Sequence, residues 1–160
     1  MKSDNTRYST TRTRNRVLVS RLIRAWHSTH RQPPGWRVAF LLKRNGVTVG
    51  VSTWGRPVAR MEDQKTTLEH QRMALGPGLP HNTASWWMAQ NRREIARIFP
   101  EVRRLISYVD ETVHSGVTYR ADNWQIVYRS RVEKKDWSNR PGRVQPNAVA
   151  RTKFQRLHVI

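Results

Sequence analysis

A chain of 160 residues, 37% hydrophobic and 9% aromatic with seven tryptophans, suits one domain with a real core and is too apolar to be wholly disordered. Thirty Lys plus Arg against 11 Asp plus Glu leave a net charge of +19, which points to a polyanionic partner, nucleic acid first, or to a charged binder with no chemistry. The lack of cysteine excludes disulfides and thiolate nucleophiles; no apolar run approaches the roughly 20 residues that span a bilayer, and the polar, basic opening carries no leader-like segment, so no membrane partner and an intracellular location are expected.

In chain order, residues 1–12 read as a flexible basic arm. "RNRVLVSRLIRAWH" puts Val19, Ile23 and Trp26, and likewise Leu18, Leu22 and Ala25, at helical spacing opposite arginines, which predicts a first helix. "HRQPPG" stops it, because proline removes a helical donor and biases the preceding residue toward extended backbone. "WRVAFLLKRNGVTVGVSTWG" contains two β-rich runs around Asn45-Gly46, a pair suited to the positive φ angles of a hairpin turn. "TTLEHQRMAL" reads as a third strand, and "GPGLPHN" cannot be regular structure.

"TASWWMAQNRREIARIF" predicts an amphipathic helix capped by Asn82 or Thr83, with Ala84, Met88, Asn91, Ile95 and Ile98 inward and Arg92, Arg93 and Arg97 elsewhere. Pro100 ends it, "VRRLISYVD" reads as a buried strand, and "DETVHSGVTYRADNW" as its end entering a short, substrate-facing turn or helix, its polar residues toward a cleft and Tyr119 and Trp124 either partly core or beside a flipped base. "WQIVYRSR" alternates like a strand, "VEKKDWSNRPGRVQPNAVAR" looks like a basic loop, and "KFQRLHVI" could return as a last strand. This order implies an α/β domain with a mixed, largely antiparallel sheet flanked by helices over residues 13–130, completed by the loop and strand of 131–160.

Three groups of residues could carry chemistry. The "GPG" loop before the second helix either turns backbone N–H groups onto an anion at the helix start or simply makes the turn. Glu69, in a strand next to that loop, either accepts a proton from a bound substrate or forms a structural ion pair with Arg72. His27, His30, His81 and His114, with Asp110 and Glu111, supply donor atoms for a transition metal or are surface histidines near phosphate.

"GVSTWGRPVAR", "TLEHQRMAL", "HNTASWW", "FPEVRRLISYVDE" and "HSGVTYRADNW", in this order, resemble the phage Mom family of DNA adenine-modification proteins, a divergent branch of the GNAT acetyltransferase fold. The resemblance covers about residues 24–130. It implies a GNAT-like sheet that opens to admit acetyl-CoA, and a carbamoylmethyl group installed on adenine N6 of duplex DNA, protecting phage DNA from restriction in the bacterial host's cytoplasm. Carried over motif by motif, it implies catalytic roles for Glu69, Ser85, Tyr108, Asp110, His114 and Tyr119, and cofactor contacts from Arg72, Gly76, Gly78, Asn82, Thr83 and Ser85. Its histidine region implies a metal, iron, at His27 and His30. Arg56, Arg120, Trp124, Arg129, Arg131, Lys134 and Lys135 are the expected DNA contacts.

Two positions depart from the family pattern: Ser28 stands where a tyrosine often follows the first histidine, and Met73 stands three before Gly76, where the phosphate loop usually has Gln or Arg. Two other functions stay in play, an acyltransferase acting on RNA, a modified pyrimidine or a protein amine, and a nucleic-acid binder without activity. Labelled acetyl-CoA offered to separate substrate pools distinguishes the first, and calorimetry with CoA the second.

Overall fold

The computed structural model describes residues 6–130 and 150–160. Along the chain these form β1 (Tyr8–Thr13), α1 (Arg16–Trp26), β2 (Val38–Arg44), β3 (Val47–Gly55), β4 (Thr67–Leu75), α2 (Thr83–Ile98), β5 (Arg104–Asp110), α3 (Val117–Ala121), β6 (Gln125–Arg129) and β7 (Arg151–Arg156). The strands make one seven-stranded sheet in the order β1-β2-β3-β4-β5-β7-β6. Every neighbouring pair is antiparallel except β4 and β5, which run parallel. This is the mixed, largely antiparallel sheet with flanking helices that the sequence implies.

The two long helices, α1 and α2, cover opposite faces. Asn15 caps α1 by accepting a hydrogen bond from the Leu18 N–H at 3.0 Å, one of the donors a helix start leaves open. Val19, Leu22 and Ile23 then pack with Ala39, Leu41, Val51 and Ala74 on one side of the sheet. On the other side Trp87, Met88 and Ile95 of α2 join Phe40, Leu42, Trp54, Leu68, Leu105 and Phe154. Asn45 and Gly46 turn β2 into β3 with φ of 50° and 82°, the positive angles the Asn-Gly pair predicts.

Four expectations need correcting. The arm expected over residues 1–12 is a strand from Tyr8 onward, paired along its length with Arg44 back to Ala39. Its threonines suit the pleat, and Trp87 Nε1 donates to Thr10 Oγ1 at 3.0 Å. Arg92, expected on the outer side of α2, is buried: its guanidinium donates to both Asp122 oxygens at 2.6 and 2.7 Å and to the Val159 carbonyl at 2.7 Å. Losing one partner of such a buried pair costs about 3–5 kcal/mol. Asn82 precedes α2 but its side chain makes no cap hydrogen bond. The last strand begins at Arg151 and stops at Arg156, so the end of "KFQRLHVI" lies beyond it.

Two features of β4 prepare the site. It is paired with β5 at only three positions, Thr67, Leu68 and Glu69; farther along, the two strands part. Against β3 its register slips, Trp54 facing His70 and Thr53 facing Arg72, so that Gln71 is an extra, bulged residue.

Candidate active site

A cleft of about 780 Å³ opens on the α1 face of the sheet, next to the parting strands. Pro33 to Arg37 and the loop Arg56 to Ala59 form its rims, and Glu69, Arg72, Tyr108, Tyr128 and Arg151 line it from the sheet. Glu69 is 8% exposed; its Oε2 accepts a hydrogen bond from the Val58 N–H at 2.9 Å. Burial pushes its pKa up, against the opposing pull of that hydrogen bond and of Arg72, Arg151 and Lys153. A carboxylate raised this way, yet bordered by cations that tolerate its charge, suits proton transfer.

Tyr108 lies in the same cleft, its pKa raised to about 12 by burial, then by Tyr128 and Glu69, so it stays a neutral phenol. Arg72 is tied down, Nε donating to the Arg31 carbonyl at 3.2 Å and Nη1 to the Gln71 carbonyl at 2.7 Å. Its guanidinium therefore borders Glu69 and does not reach out toward the helix-start residues with which the resemblance grouped it.

Where β4 and β5 separate, Ser107 Oγ donates to the His70 carbonyl at 3.0 Å, bridging the gap. His70 is 4% exposed. Its Nδ1 lies 2.6 Å from Tyr119 Oη and its Nε2 3.3 Å from Ser52 Oγ; Ser107 Oγ is 2.8 Å from the same phenol. Burial first, then His27 and Arg72, lower the His70 pKa to about 3, so the ring is neutral. A neutral imidazole has one donor and one acceptor; with Ser107's proton on the His70 carbonyl, the line runs one way, from Ser52 to His70, from His70 to Tyr119 and from Tyr119 to Ser107. Burial also raises the Tyr119 phenol to about 12. The sequence reading singled out Tyr119 and missed His70, Ser52, Ser107 and Arg151.

The other expected residues fall in several places. Asp110 is engaged in a turn, Oδ1 accepting from the Thr112 N–H at 2.9 Å and its hydroxyl at 2.5 Å, which lowers its pKa; it does not line the cleft. His114 Nε2 meets Ser28 Oγ at 3.0 Å, linking the end of α1 to the loop after β5, and Gly116 takes φ 71° against the Phe154 ring. Ser85 and Thr83 stand in the first turn of α2, their hydroxyls donating to the Asn82 carbonyl at 3.2 Å and the Pro80 carbonyl at 2.7 Å.

Gly76 and Gly78 lie in the loop before them. Gly76 packs so closely on the Trp26 ring that a Cβ would stand 3.1 Å from it. Gly78 takes φ 76° with open space around it.

Of the expected DNA contacts, Arg56 stands exposed at the cleft rim. Arg120 and Arg129 both face Glu111, at 3.6 and 3.3 Å. Trp124 is 5% exposed, its Nε1 donating to Asp122 Oδ2 at 2.8 Å, so its ring belongs to the core and offers no face to a base. Arg131, Lys134 and Lys135 lie outside the described residues.

The structure also bears on both implied cofactors. Beyond Glu69 the β4 edge toward β5 has no strand partner, and a glycine loop leads from its end to a helix start that no side chain caps. An extended, phosphate-bearing carrier fits that arrangement. Iron does not fit in the same way. Among the described residues no three His, Asp or Glu side chains are grouped to hold a metal; His30 Nδ1 is taken by the Arg24 carbonyl at 2.7 Å and His27 Nδ1 by Thr29 Oγ1 at 2.9 Å. No helix among these residues is long and apolar enough to cross a membrane.

Comparison with known proteins adds two findings. A family profile described as the Mom protein family matches residues 12–157. No curated protein matches. Among solved structures, a GNAT acetyltransferase from Streptococcus pneumoniae superposes with a TM-score of 0.64 at 13% identity, over 95% of this chain and 99% of that one. An IAA acetyltransferase from Bacillus cereus gives 0.65 at 13% identity, over 93% and 98%. An acetyltransferase from Bacillus subtilis in complex with CoA gives 0.61 at 8% identity, over 94% and 97%. The fold is that of the GNAT acetyltransferases.

Proposed function

Because the chain belongs to the Mom protein family, we propose that it is a CoA-dependent enzyme that modifies adenine N6 in duplex DNA with a carbamoylmethyl group, and so shields phage DNA from restriction. The observation that carries this reading is the juxtaposition of a parted strand pair with the Glu69 cleft beside it. The parted strands give room for a carrier and the cleft gives room for a base. Bound along β4, a CoA thioester would supply an activated two-carbon unit, held by the β4 edge beyond the Ser107–His70 bridge and by the loop of Gly76 and Gly78 with the first turn of α2 at Asn82, Thr83 and Ser85. Joining its methyl carbon to N6 and turning its carbonyl into the amide would draw on a two-electron oxidant and an ammonia-level nitrogen donor supplied from outside this chain.

Adenine N6 is a poor nucleophile because its lone pair is delocalised into the ring, so the protein must orient it and manage its proton. Glu69 takes that proton. Tyr119, neutral and backed by His70 and Ser107, donates one on the carrier side. Tyr108 and Tyr128 offer aromatic surface to a base out of the stack, whose flipping costs a few kcal/mol, and Arg56 and Arg151 meet the flanking phosphates.

Mass spectrometry of nucleosides from the DNA of expressing cells tests this directly. A new adenine-derived nucleoside is expected, with Glu69→Gln lowering its yield by about 10²-fold or more, the usual contribution of a general base. Unmodified DNA beside soluble, folded protein that binds CoA would refute the reading.

A further inference from the structure

Helix α1 turns a row of arginines away from the sheet. Arg16, Arg21 and Arg24 lie on it, Arg14 precedes it and Arg31 follows, and all five are exposed. The first turn holds no acidic residue, and none of the five joins an ion pair among the described residues. On α2, by contrast, Arg92 and Arg97 are neutralised by Asp122 and Glu94. Five uncompensated guanidiniums repel one another unless an anion lies between them.

The row borders a groove of about 540 Å³ lined by Arg16, Val17, Ser20, Arg21, Arg24 and Gln32. That groove adjoins the Glu69 cleft, because Pro33, Pro34 and Gly35, which follow Gln32 directly, form the cleft's rim. Arg16 bridges the two, its guanidinium lying 4.8 Å over the ring of Trp36 in the cleft wall.

The chemistry of this face selects its partner. From Arg16 to Arg24 the helix rises about 12 Å, which matches three to four nucleotides at about 3.4 Å each along one strand of a duplex. Single strands are gripped through aromatic platforms on which bases stack. The groove holds none, only guanidiniums, one hydroxyl, one amide and Val17, groups suited to phosphate oxygens.

We propose that the outer face of α1, through Arg16, Arg21 and Arg24, grips the sugar–phosphate backbone of duplex DNA beside the Glu69 cleft and sets which nucleotide reaches it. The proposal rests on the reading of that cleft as a DNA-modifying site, and it is tested by binding alone. The affinity of the full-length protein for a short fluorescent DNA duplex, without CoA, is followed across a sodium chloride series. Each phosphate contact contributes about 0.9 to the slope of log affinity against log salt.

Arg21→Gln with Arg24→Gln is expected to lower the slope by about 1 to 2, while Arg93→Gln with Arg97→Gln on α2, an equal loss of charge, leaves it near wild type. An unchanged slope in the α1 pair, or equal losses in both pairs, overturns the proposal. A loss seen on duplex RNA and absent on DNA overturns the choice of partner. Wild-type protein that leaves DNA unmodified while the α1 pair still loses slope defeats the enzymatic reading and supports this face; normal modification with an unchanged slope does the reverse.

Discussion

His70 has both ring nitrogens engaged, by Tyr119 and Ser52, inside a wall of Trp54 at 4.5 Å between ring centroids. Folded, its pKa falls from 6.5 to about 3, and that of His27 to about 4, each chiefly through burial. The unfolded chain therefore binds protons between those limits that the folded chain refuses. The stability these rings contribute is complete above about pH 6.5 and is lost as pH falls toward 3. His70→Asn is expected to flatten the decline of Tm between pH 6.5 and 4, measured by calorimetry; a decline parallel to wild type would remove His70 from this role. The residue itself was hidden in the sequence. Lying between Glu69 and Gln71 with no histidine or acid at a ligand-like spacing, it acquires meaning only through partners 18, 37 and 49 residues away. Glu69 was legible because a carboxylate next to a glycine loop already suggests chemistry. Of the two places open to Trp124, beside a flipped base or partly in the core, the core is the one it takes, with Asp122 drawing its indole inward.

At the scale of elements, long apolar periodicity was readable and edge structure was not. The hairpin, α1, α2 and β5 carry enough β-branched or helical-period residues to declare themselves. β1 has the sequence YSTTRT and a half-exposed pattern, so only its ladder to β2 and the contacts of Thr10 and Tyr8 with Trp87 and Trp86 define it. Arg92 escaped for a related reason: a charge on an amphipathic helix is solvated by default, and its partners are Asp122, just after α3, and the carbonyl of Val159. Because β1 covers the edge of β2, deletion of residues 1–13 should bare a strand whose first five residues are all buried. Loss of soluble protein, or a fall in Tm of several degrees, is the expected result. Unchanged Tm and solubility would mean that β1 contributes nothing to the sheet.

Across the whole molecule the excess of cations shapes stability as well as binding. A net charge of +19 acts against compaction, and the ion pairs present draw on few acids: Glu111 serves Arg120 and Arg129, and Glu62 serves Arg104 and Lys153. Screening over a Debye length of about 8 Å at 0.15 M salt should therefore raise Tm relative to 0.01 M. Scanning calorimetry at the two ionic strengths reads this, and a Tm that falls with added salt would mean that attractive pairs outweigh repulsion.

The bulge at Gln71 carries a consequence of parity. In an unbroken strand, positions an odd number apart look in opposite directions, so Glu69 and Arg72 would be parted, one of them thrust among the tryptophans. The one surplus residue resets the count. It allows a single strand to offer carboxylate and guanidinium to the same open hollow, while Leu68, His70, Met73 and Leu75 all turn to the oily side. Removing that residue would exchange the two populations from position 72 onward, and the hollow would lose Arg72 to the interior.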